Sequence, residues 1–164
     1  MNEQRFPSAP GQYLLLLHLD HLSVLEIGKM GTFSFPPGTL IYIGSAYGPG
    51  GLSARLTRHL RPANQKKPHW HIDHLLSAAT IHGIGWSLEP QHNECDWSAS
   101  LDEFGSRWPR RFGASDCHCE GHLIQVKKQI SIPQLISSIP DQLLFKRLDA
   151  TSSRSSWSKE NCMS

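Results

Sequence analysis

No apolar stretch among the 164 residues approaches the length needed to cross a membrane. The opening MNEQRFPSAP contains no apolar leader region. Charge of either sign is sparse. Lys and Arg number 16 against 14 Asp and Glu, a formal net charge of +2. That balance neither demands nor excludes a nucleic-acid partner, because a small basic face can sit on a near-neutral protein. Cysteine is scarce too: four residues, Cys95, Cys117, Cys119 and Cys162. Cys117 and Cys119 are too close for an easy mutual disulfide, and the set does not form the framework of a small secreted domain. No internal repeat is visible. Together these absences predict a reduced, soluble, cytoplasmic protein, long enough for one domain with its own core.

What is present is a pattern of strands and helices. Gln12 to Leu19 (QYLLLLHL) is a near-continuous apolar run between Gly11 and Asp20, the signature of a strand buried on both faces. Ser23 to Ile27 alternates and reads as a half-exposed strand, and Thr39 to Ile43 (TLIYI) as a third. A turn with three glycines follows. Leu52, Leu56 and Leu60 then mark one face of a helix. Helices are expected over His69–Ala79, over Asn93–Phe104 with Asn93 as N-cap, and over Ile132–Leu148, the last broken by Pro133 and Pro140. Thr80–Leu88 and His122–Val126 read as strands, and Gly105 to Gly121 as irregular. The chain is therefore α+β. Residues 1–10 are expected to be a flexible lead-in, 11–148 a single domain, and 149–164 a disordered serine-rich tail.

The stretch Gly38 to Leu60, GTLIYIGSAYGPGGLSARLTRHL, holds the densest chemistry. On its helix Arg55 and His59 are i, i+4 neighbours and Arg55 and Arg58 are i, i+3 neighbours, so they can act on one ligand. Phosphodiester hydrolysis needs an activated water, a positive group on the phosphate and a metal held by carboxylate. Arg55 can supply the charge, with Arg58 beside it. Tyr13 and Tyr42 lie on two apolar strands that can pair. Glu94, at the start of a helix, can hold Mg²⁺ or Mn²⁺ with waters in the remaining positions.

The order Gly11-Gln12-Tyr13, Tyr42-Ile43-Gly44, Arg55 with His59, then Glu94 resembles the GIY-YIG nuclease superfamily. YIGSAYGPGGLSARLTRHL, KKPHWHIDHLL and FGASDCHCEGHL are similar to its uncharacterised DUF123-type branch, whose domains are at times fused to endonuclease III. The resemblance covers about residues 11–126. It implies a small three-stranded antiparallel sheet flanked by helices, and DNA endonuclease activity with one divalent metal. The expected setting is DNA repair, or cleavage of branched or damaged DNA. It implies Tyr13 and Tyr42 as the motif tyrosines, Arg55 as the phosphate contact, His59 as the helix histidine and Glu94 as the metal ligand. The connection from Tyr13 to Tyr42 is unusually long. Gly31-Thr32-Phe33 is an alternative first triad, one that lacks a hydroxyl. The alternative functions are a DNA-binding module of the same fold without catalysis and a zinc-stabilised structural or interaction domain.

Further clusters surround this motif. Arg58, Arg61, Lys66 and Lys67 are candidates for DNA-backbone contact, which would be salt-sensitive. Trp108, among Arg107, Arg110 and Arg111, suits either base stacking or a core position. His69, His71, Asp73, Cys117, Cys119 and His122 offer either a zinc site, with its domain-stabilising role, or a packed shell around the catalytic residues. Asp73 or Asp116 could orient a catalytic side chain by hydrogen bonding.

Overall fold

Strand β1 (Gly11–Leu19) runs through the middle of an antiparallel sheet. Its side chains alternate between two cores, which is why its sequence is apolar without interruption. Tyr13, Leu15, Leu17 and Leu19 enter one core, and Leu14 and Leu16 the other. The computed structural model describes residues 6–148 and 157–158. β1 is flanked by β4 (Gly38–Ala46) and β5 (Thr80–Ser87), both antiparallel to it. Outside β4 lie β7 (Leu123–Val126) and then β6 (Gly105–Arg107). Outside β5 lies β8 (Leu144–Leu148), with the two-residue β9 (Trp157–Ser158) at its edge. β2 (Ser23–Glu26) and β3 (Thr32–Phe35) form a separate hairpin.

Helices cover both faces. α1 (Gly51–Leu60) and α2 (His71–Leu75) bring Leu52, Leu56, Ile72 and Leu75 to the Tyr13 face. α3 (Glu94–Ala99) and α4 (Ile132–Ser138) bring Trp97, Leu135 and Ile136 to the Leu14 face. Asn93 caps α3, its Oδ1 accepting the Asp96 N–H at 2.8 Å. Among the described residues no helix is long and apolar enough to cross a membrane.

The fold is α+β, with an antiparallel sheet flanked by helices. The sheet is wider than the three strands expected: six strands pair in the order β6-β7-β4-β1-β5-β8, before β9 is added. The extra width comes from segments whose strand character is weak in sequence. Leu144–Leu148 was expected to end a helix, but Pro140 closes off α4 and Phe145 instead lies over Gly83 of β5. Gly105–Arg107 gains strand form by pairing with β7. The lead-in also differs from expectation over residues 6–10. Phe6 is buried edge-on against Trp86, 5.3 Å between ring centres. The carbonyls of Pro7 and Ala9 accept the N–H groups of Ser53 and Leu52, satisfying the start of α1. The remaining lead-in residues, 1–5, and the tail, except residues 157–158, lie outside the described residues.

Candidate functional site

Register places the two tyrosines. β1 pairs with β4 so that Tyr13 faces Gly44 and Leu15 faces Tyr42. Tyr13 and Tyr42 are thus two residues apart in register and on the same face, with ring centres 6.5 Å apart. Gly44 is the glycine of Tyr-Ile-Gly. A Cβ there would fall 2.5 Å from the Tyr13 hydroxyl oxygen, so only glycine leaves room for the phenol.

α1 packs over this face and adds His59 and Arg55. The leucine stripe is as expected, but His59 is not on a solvated side: it is 2% exposed. Its Nε2 is 2.7 Å from the Tyr13 hydroxyl, and its Nδ1 is buried without a hydrogen-bond partner. Burial, aided by the cation of Lys66, lowers the His59 pKa to about 3, so the ring is neutral near pH 7. Burial also raises the Tyr13 phenol well above its ordinary value, and Tyr42 likewise, with the Glu94 carboxylate adding to the latter. Arg55 donates from Nη1 to the Ser45 carbonyl at 3.0 Å and lies over the Trp70 ring, 4.5 Å from its centre.

Glu94 reaches the same place from the opposite layer. It opens α3, and its Oε1 accepts the Ser45 hydroxyl at 3.1 Å. Burial raises its pKa, and Asp116 adds to the rise against the opposing effect of Arg55. Tyr13, Tyr42, Arg55, His59, Glu94 and Asp116 all line one cleft of about 240 Å³. All five residues of the motif therefore meet. Phe33 does not join them; it sits in the β2/β3 hairpin with its ring edge-on to Trp108, 5.9 Å between centres. Glu94 and Asp116 give the cleft two carboxylates beside open volume. That donor set fits a hard cation such as Mg²⁺ or Mn²⁺, which binds through one or two carboxylates and keeps several waters.

The basic residues divide sharply. Arg61 and Lys67 are exposed. Arg58 donates to Asp73 Oδ2 at 2.7 Å and lies 4.8 Å over Trp70. Lys66 is not a surface cation: its side chain is 2% exposed, and its Nζ donates to the carbonyls of Arg58 and His59 at 3.0 and 3.1 Å. It closes the end of α1, where cations are favoured. Trp108 is neither a core residue nor free: it is 41% exposed and donates to the Ser34 carbonyl.

A second cluster adjoins the cleft. The ligand atoms of Cys95, Cys117, Cys119 and His122 lie within 4.8 Å of one another. His122 Nε2 is 3.0 Å from Cys119 Sγ, 3.4 Å from Cys117 Sγ and 3.8 Å from Cys95 Sγ. Burial keeps the His122 ring below its ordinary pKa and hence neutral, the ligating form. This Cys₃His group can hold a metal ion, and its sulfur-rich set suits zinc rather than Mg²⁺ or Mn²⁺. Asp73, His69 and His71, expected either in a zinc site or in the shell around the catalytic residues, are not among these four ligands, and His69 and His71 line the cleft. Asp73 Oδ2 accepts the N–H groups of His69 and Trp70 at 2.8 and 2.9 Å as well as Arg58. Burial opposes ionisation of Asp73, but these bonds outweigh it and hold its pKa low. His71 Nδ1 accepts the Gly113 N–H at 3.1 Å. His69 is exposed beside Trp70. Cys95 takes their place, and its only sequence signal is that it directly follows Glu94.

Neither a curated protein nor a solved structure matches the chain. The family model described as domain of unknown function DUF123 matches residues 12–144, and the chain belongs to that family.

Proposed function

We propose that the protein is a divalent-metal-dependent DNA endonuclease of the GIY-YIG type that hydrolyses phosphodiester bonds, acting in DNA repair. The observation that carries this reading is the meeting of Tyr13, Tyr42, Arg55, His59 and Glu94 in one cleft, from two strands and two helices on two layers. Arg55 is held by Ser45 and Trp70, so its guanidinium is preorganised to bind a phosphate oxygen and the charge that grows on it. Glu94 and Asp116 would hold Mg²⁺ or Mn²⁺, which polarises the phosphate and lowers the pKa of bound water. The buried Tyr13–His59 pair is neutral and joined by one hydrogen bond. In the tautomer protonated at Nδ1, the attacking water gives its proton to the Tyr13 oxygen as the Tyr13 proton passes to His59 Nε2. Burial opposes the imidazolium so formed, and the phosphate's negative charge offsets that penalty. Tyr42 lies close to both rings, with ring centres 6.5 Å from Tyr13 and 6.4 Å from His59.

Plasmid and branched DNA incubated with the protein in Mg²⁺ or Mn²⁺ test this. Arg55→Ala and Glu94→Ala are each expected to slow cleavage by about 100-fold or more. No cleavage of any DNA form, or a Glu94→Ala protein as fast as wild type, would sink the proposal. Salt-dependent DNA binding without cleavage would select the catalytically inactive module instead.

The Cys₃His group supports a companion reading, a zinc ion that stabilises the domain. The two readings coexist, because the zinc ligands and the cleft carboxylates are different side chains.

A further inference from the structure

His122 belongs to both clusters. Nε2 faces the three sulfurs, while Nδ1 is buried, lacks a hydrogen-bond partner, and stands 3.6 Å from Glu94 Oε2. That distance is long for a formed hydrogen bond. Glu94 is the only carboxylate paired with this nitrogen among the described residues. The neighbouring sequence reinforces the link, since Cys95 and Glu94 are consecutive in the first turn of α3. One short helical turn therefore contributes a ligand to the sulfur cluster and a carboxylate to the cleft.

We infer that a zinc ion held by Cys95, Cys117, Cys119 and His122 positions the cleft carboxylate Glu94 through His122, so that the sulfur cluster sets the affinity of the cleft for its own divalent ion. The chemistry follows from the imidazole ring. A metal on Nε2 consumes that lone pair and leaves the ring proton on Nδ1. The Nδ1–H then faces Glu94 Oε2, and the contact closes into a charge-assisted hydrogen bond. Such histidine–carboxylate pairs orient both partners and are worth roughly 10–100-fold in metal affinity or activity when broken. With Ser45 donating to Oε1 and His122 to Oε2, each carboxylate oxygen keeps a second lone pair for an ion. His122 is thus a positioning residue. It acts on the cleft ion through Glu94.

This inference rests on the proposed function for the cleft cation, and the experiment separates the two. Zinc content and Mn²⁺ affinity, the latter by electron paramagnetic resonance titration, are measured on wild type and on His122→Cys. The substitution makes a four-cysteine set that still suits zinc but has no Nδ1–H. The expected result is one zinc per chain in both proteins, with Mn²⁺ affinity about 10-fold weaker in the variant. Unchanged Mn²⁺ affinity at full zinc content overturns the inference. Glu94→Ala carries the test where His122→Cys loses zinc or fails to fold. In the zinc-loaded wild type, NMR should show a slowly exchanging His122 Nδ1–H shifted downfield, and Glu94→Ala should abolish it. Its persistence in Glu94→Ala, or its absence from wild type, overturns the inference. A wild type that shows the proton but binds no Mn²⁺ keeps the His122–Glu94 link and refutes the cleft-cation reading.

Discussion

At His59 two requirements meet: the ring must fill space beneath α1, and it must face the Tyr13 hydroxyl. The first requirement sets its acid–base behaviour. Lys66, Arg55 and Arg58 also crowd the ring with positive charge, opposed only by Asp73. Its folded pKa, about 3, lies below the ordinary 6.5. Below about pH 6.5 the unfolded chain gains a proton that the folded chain refuses until about pH 3. Stability should therefore fall with pH across that window, by at most about 1.4 kcal/mol per pH unit from this residue. His59→Gln keeps a polar side chain but removes the titration. Between pH 7 and 5, wild type is expected to lose about 2 kcal/mol more than His59→Gln in urea unfolding. The other histidines with lowered pKa values, His71, His82 and His122, are common to both proteins, so the difference isolates His59. Equal losses would show that His59 is protonated in the fold without penalty. The burial of His59 was not legible in the sequence. A leucine stripe at i, i+4 and i+8 reports which side faces the core, but not that a bulky ring alongside it will be covered by Trp70 from the following segment.

At the level of elements, legibility followed how much a segment's own residues decide its form. β1, β4 and α1 carry their periodicity in full, and so the strand–turn–helix and the pairing of the Tyr13 strand with the Tyr42 strand could be anticipated, though not their register. β6 and β8 could not. They are short strands, one at the edge of the sheet and one next to its edge, shaped by a neighbour's hydrogen bonds, and Thr32–Phe35 was hidden among glycines and prolines. The loop Arg61 to Lys67 shows the same limit in its charges. Two adjacent lysines look alike in sequence, but Lys66 turns inward to the α1 carbonyls and Lys67 outward. Their variants should separate accordingly. Lys66→Met is expected to lower stability by about 1–3 kcal/mol, because it removes charged hydrogen bonds from a buried position, and to leave the salt dependence of the proposed DNA binding unchanged. Lys67→Ala should leave stability unchanged and reduce the salt slope of DNA binding by about 1. Thermal melts and binding titrations at several salt concentrations check both. A reduced salt slope in Lys66→Met would contradict its inward role.

For the whole molecule, the Cys₃His group sits where the two layers meet. Cys95 rides on α3, whose Trp97 packs in the Leu14 core. Cys117, Cys119 and His122 come from the connection between β6 and β7, whose Phe112 packs in the Tyr42 core. A direct bond already ties these parts, since Ser98 Oγ donates to the Gly121 carbonyl at 2.8 Å, and Arg111 Nη1 braces the loop itself by donating to the Cys119 carbonyl at 2.6 Å. A metal there joins one layer to the other across more than twenty residues of intervening chain, a closure that no local spacing reveals. Yet both cores are extensive without it, unlike a zinc finger, so the metal-free protein should stay folded and lose stability rather than collapse. An ion present at about 1,000 times its dissociation constant contributes about 4 kcal/mol. For a domain of this size that corresponds to a drop in melting temperature of roughly 10 °C when the ion is removed. A zinc-selective chelator that leaves Mg²⁺ in place should produce this shift, and added zinc should reverse it. Cys119→Ser should melt low from the start and gain little from zinc. A chelated protein that melts with the untreated sample, once metal analysis shows the zinc has gone, would mean the four side chains meet for packing alone.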